Sequence, residues 1–68
     1  MTTLTLTAID LYPGQTVGIG YGLNEDGHEV MFGIDHRPAE DLIDLIEQGE
    51  EDITVQVEPW QVLGVVKR

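Results

Sequence analysis

Nucleophiles, convergent ligands and buried acid–base pairs are scarce in this chain. It contains neither serine nor cysteine, which removes the serine–histidine and cysteine–histidine arrangements of nucleophilic catalysis. The two histidines, His28 and His36, stand among scattered carboxylates such as Glu29 and Asp35. Only Asp35 and His36 adjoin, and adjacent side chains rarely converge, so the tight ligand set of a zinc site is missing. The polar turn Asn24-Glu25-Asp26-Gly27 is too short for an EF-hand calcium loop. A histidine–carboxylate pair also needs a pocket, for which 68 residues leave little room. We therefore expect a non-enzyme with no metal and no cofactor.

The residue types that do recur are carboxylates. The chain carries 13 acidic against 3 basic residues, a formal net charge of −10. Seven of the acids, Glu40, Asp41, Asp44, Glu47, Glu50, Glu51 and Asp52, fall within one short stretch. Such a surface repels phosphate backbones and anionic lipids, so direct nucleic-acid or membrane partners are disfavoured and a basic protein surface is favoured. Carboxylates spaced along a helix can also imitate a run of phosphates toward a basic cleft. Against both stands the commoner case, in which the charge is a solvated face that keeps the protein soluble. Trp60, following Pro59, is either a lid on the core or an exposed anchor for a partner.

A second unusual pattern lies in residues 16–23. One side of this apolar strand carries Val17, Ile19, Tyr21 and Leu23; the other carries Thr16, Gly18, Gly20 and Gly22. A strand face made of glycine either bends sharply or admits another backbone or a ligand at close range. We take Gly18, Gly20 and Gly22 as backbone open to close approach, and Tyr21 as a core residue. No phosphate-binding fingerprint is present: Gly18-x-Gly20-x-Gly22 lacks the final x-x-Gly step and the helix of a dinucleotide site, and no P-loop occurs. Nucleotide binding is rejected.

The elements that must position these residues follow from periodicity. Residues 3–9 alternate, with Leu4, Leu6 and Ala8 to one side and Thr3, Thr5 and Thr7 to the other, a half-buried strand. Pro13-Gly14 suits the centre of a type II turn. The glycine-striped strand and residues 28–34 flank Asn24–Gly27 as a hairpin. In its second strand Val30, Phe32 and Ile34 share a face, and Gly33 is a candidate neighbour of the glycine stripe. Pro38 marks the start of the single helix; Ala39, Leu42, Ile43 and Ile46, widened by Leu45, form its apolar stripe, and Gly49 stops it. Glu40, Asp41, Asp44 and Glu47 fall on the opposite side, so the helix depends on docking for its stability. Residues 53–57 and 62–66 read as two last strands, joined through Glu58-Pro59-Trp60-Gln61.

Together these elements predict one small domain over residues 1–68, mostly β with one helix, in the order β-β-β-α-β-β. We expect a small five-stranded antiparallel barrel or a strongly curved sheet, which in element order and size resembles an OB-fold or an SH3-like barrel. No apolar run reaches membrane-spanning length. No basic segment precedes an apolar one at the N-terminus, so no signal peptide is expected and the protein is read as cytoplasmic. The leading functional expectation is a non-catalytic acidic interaction module that engages a basic protein surface. The alternatives are a DNA-mimicking inhibitor of a nucleic-acid-binding enzyme and a structural homo-oligomer subunit.

Overall fold

The computed structural model describes residues 2–12 and 14–66. Its strands are β1 (Thr2–Asp10), β2 (Val17–Leu23), β3 (Glu29–Asp35), β4 (Thr54–Val57) and β5 (Val62–Val65); α1 (His36–Glu47) joins β3 to β4. All neighbouring strands are antiparallel, in the order β4-β1-β2-β3-β5. Pro13, half of the expected type II turn, lies outside the described residues. The turn itself has Gly14 at φ +79° and the Gln15 N–H donating to the Tyr12 carbonyl at 3.2 Å.

The mostly-β composition and the element order agree with the sequence, but the closed barrel and the strong curvature do not. β4 and β5 end the sheet as two edges, with no ladder between them. The reason lies in the connection. Pro59–Gln61 forms a single 3-10 turn, and the Gln61 side chain links the start of that turn to β3. Its Oε1 accepts from the Glu58 N–H at 2.7 Å, and its Nε2 donates to the Gly33 carbonyl at 3.2 Å. The turn is thereby fastened to β3, and β5 pairs with β3 instead of returning to β4.

The core lies between one sheet face and α1. Leu4, Val30, Phe32, Ile34, Ala39 and Val57 are buried, with Leu6, Ile9, Leu11, Leu42 and Val55 packed around them. Gly18, Gly20 and Gly22 pair directly with Ile34, Phe32 and Val30, so the glycine stripe belongs to this covered face. Tyr21 consequently points to the outer face, where it is half-buried, against the expectation that it is a core residue. Gly33 pairs with Ile19 and also lies on the outer face, away from the stripe.

The alternation read in β1 holds only as far as Leu6. A bulge at Thr7 places Leu6 opposite Gly22 but Ala8 opposite Tyr21 and Ile9 opposite Gly20. Ile9 thereby turns to the core and Ala8 outward, as an inserted residue must do in a structure of period two. The Thr7 hydroxyl lies 3.0 Å from the Tyr21 carbonyl and 3.3 Å from Glu29 Oε2.

The β2–β3 hairpin closes through Asn24. Its Oδ1 accepts the N–H groups of Asp26 and His28 at 3.0 and 2.9 Å, and Gly27 takes φ +80°. α1 begins at His36, two residues before Pro38, and ends in a Schellman motif. There the Glu50 N–H donates to the Leu45 carbonyl and the Gly49 N–H to the Ile46 carbonyl, with Gly49 at φ +85°. The apolar stripe docks only in part: Ala39 is buried, Leu42 and Ile43 are half-buried, and Leu45 and Ile46 remain exposed.

Candidate functional site

The acidic stretch lies wholly on the surface. Glu40, Asp41, Asp44 and Glu47 project from α1, and Glu50, Glu51 and Asp52 follow in the loop; all seven are exposed. Successive α-helical residues rise about 1.5 Å, so Glu40, Asp44 and Glu47 are separated by roughly 6 and 4.5 Å along the axis. Glu40 pairs with His36, the first residue of the helix. The other His36 ring nitrogen lies 3.2 Å from the Gln15 carbonyl. Both neighbours are acceptors, so the ring donates to both only as imidazolium. Among the described residues, Asp41, Asp44, Glu47, Glu50, Glu51 and Asp52 have neither an ion pair nor a side-chain hydrogen bond. Asp52 also holds φ +55°, the left-handed region, at the tip of the link into β4.

Trp60 is 80% exposed at the 3-10 turn, so it is no lid on the core. The glycine stripe, by contrast, is already occupied by the protein itself. A Cβ at Gly18 would meet the Asp10 carbonyl at 2.9 Å, one at Gly20 would meet the Phe32 ring, and one at Gly22 would meet Leu4 Cβ at 2.8 Å. The close approach expected there is made by the chain's own side chains and backbone.

His28 and His36 flank β3 at its two ends, about 26 Å apart at the rise of an extended strand. Among the described residues, no three histidine or carboxylate side chains gather where they could hold a metal ion. No described helix is long and apolar enough to cross a membrane.

The outer sheet face was not legible as a site. It carries Val17, Ile19, Tyr21 and Leu23 on β2 and Met31 and Gly33 on β3, and among the described residues no helix covers it. Partial burial raises the Tyr21 phenol above its ordinary value, with further upward pushes from the charges of Asp10 and Tyr12, a hydrogen bond to Asp10 and the charge of Glu29. At the end of this face Val17, Gly33, Ile34, Asp35, Trp60, Gln61 and Leu63 line a groove of about 210 Å³. The signal was present in the sequence as a second alternating face on β2, beside a glycine in β3 that matched no turn.

Comparison with protein-family models, with curated proteins and with solved structures returned no match to this chain.

Proposed function

We propose that the protein is a non-catalytic interaction module whose acidic helix face and following loop engage a basic protein surface. The observation that carries this reading is the uncompensated charge of that face. Six carboxylates from Asp41 to Asp52 stand exposed without any partner among the described residues. Like charges at this spacing cost a helix a few tenths of a kcal/mol each. A basic partner relieves that repulsion and is steered toward the site by the field of a chain carrying −10. The same charge opposes close packing of two copies, which counts against the homo-oligomer. We read the protein as cytoplasmic.

The test is affinity capture from a lysate of the source organism, with wild-type protein and a D41S/D44S/E47S variant compared at low and high salt. A protein recovered by wild type, lost at high salt and lost with the variant supports the reading. Equal recovery by the two chains contradicts it. Adding duplex DNA to the purified complex then separates docking from DNA mimicry, since only a mimic competes with DNA for the partner.

A further inference from the structure

β5 pairs with β3 from Val30 to Phe32; beyond Phe32 the chain leaves the ladder as the 3-10 turn, and Gly33 and Asp35 lie past its end. The resulting groove has a bare floor, because a Cβ at Gly33 would meet nothing nearer than the Gln61 carbonyl at 3.9 Å. Val17 and Leu63, 51% and 56% exposed, and the indole of Trp60 form its apolar walls. Asp35 lines the same groove, exposed, and among the described residues its carboxylate has no ion pair or side-chain hydrogen bond.

An unpaired carboxylate beside an exposed indole, with an apolar trough leading to both, is complementary to one kind of side chain. That side chain has an aliphatic stem and a planar cation. Arginine stacks its guanidinium on an aromatic face while pairing bidentately with a carboxylate, and its methylenes cover apolar surface. A second copy of this chain is disfavoured as the occupant by its net charge of −10.

We propose that this groove binds an arginine side chain presented by an extended basic segment of the partner, with the guanidinium between Trp60 and Asp35 and its stem over Gly33. This rests on the proposed basic partner but uses a surface separate from the helix face.

The test is an NMR titration of the ¹⁵N-labelled full chain with the peptide Gly-Ser-Val-Arg-Val-Ser-Gly, and with its citrulline counterpart, at about 150 mM salt. The arginine peptide should shift the Trp60 indole N–H and the Gly33 amide saturably. Citrulline, which keeps the shape but not the charge, should bind at least about fivefold more weakly. D35N should weaken arginine binding to a similar degree. G33V should fill the floor and abolish the shifts; W60A, altering an exposed side chain, serves the same end if G33V fails to fold. D41S/D44S/E47S should leave groove binding within about twofold even though it is the variant that tests the helix face, so the two readings fail separately. Equal binding of the citrulline peptide, unchanged binding by W60A, or shifts confined to residues 40–52 would overturn the proposal. So would Trp60 resonances that move with protein concentration alone.

Discussion

Phe32 lies against the bare backbone of its cross-strand partner Gly20, where a Cβ would stand 2.6 Å from Cε2 of the ring. The ring, fully buried, occupies the space that a side chain on β2 would have taken. Gly20→Ala should therefore overpack the core and lower stability by about 1–3 kcal/mol. Gly33, on the opposite face with open space above it, should respond with the other sign. There Gly33→Ala removes the entropic penalty of glycine in a strand and should stabilise by roughly 0.5 kcal/mol. Urea midpoints of the two variants against wild type measure both signs in one experiment.

Gln61 holds the connection between β4 and β5 through one bond to Glu58 and one to Gly33. Gln61→Ala should cost about 1–2 kcal/mol, since the half-buried Glu58 N–H and Gly33 carbonyl lose their partner together. Amide exchange should quicken first in Val62–Val65 and more slowly in β1 and β2, if β5 is kept in place by that side chain. Uniform loss of protection would show that Gln61 acts on the whole fold.

The helix stop makes a similar demand on backbone geometry. Gly49 holds φ +85° within the Schellman motif. Gly49→Ala should lower stability by about 1 kcal/mol, because an L side chain is strained there. The loss should be visible as a lower thermal midpoint.

Tyr21 has a folded-state phenol raised above its ordinary value, first by partial burial and then by the charge of Asp10. Its neutral form is favoured by folding, so this contribution is full below the unfolded value of about 10 and is lost as pH rises through the folded one. Tyrosinate absorbance should show a phenol ionising above pH 10 that disappears in Tyr21→Phe. The variant should also lose part of the alkaline fall in stability.

Element order could be read from the chain because each signal was local. The Asn24–Gly27 turn, the apolar stripe from Ala39 to Ile46 and the Gly49 stop all act within a few residues. The covered face of β2 could not be read in the same way. Val17, Ile19, Tyr21 and Leu23 are more apolar than three glycines, so local hydrophobicity pointed to the wrong side. The deciding residue, Phe32, comes from the neighbouring strand. Likewise Thr7 looks like one more alternating threonine, yet the bulge there turns Ile9 into the core. Barrel closure failed for want of a β4–β5 ladder: β5 pairs with β3, to which the Gln61 side chain also bonds across a long sequence separation. The acidic face was legible because exposed carboxylates at helical spacing need no tertiary partner to declare themselves. The groove at Gly33 was not, because it joins β2, β3 and the 3-10 turn.

The most direct test of the acidic face is the affinity of the purified captured partner for wild type and for D41S/D44S/E47S, measured by calorimetry at about 50 and 500 mM salt. The account predicts at least about tenfold weaker binding by the variant at low salt, a difference of roughly 1.4 kcal/mol that shrinks at high salt as charges are screened. Equal affinities at low salt, from a variant whose thermal midpoint matches wild type, would contradict it and leave these carboxylates as a solvated surface.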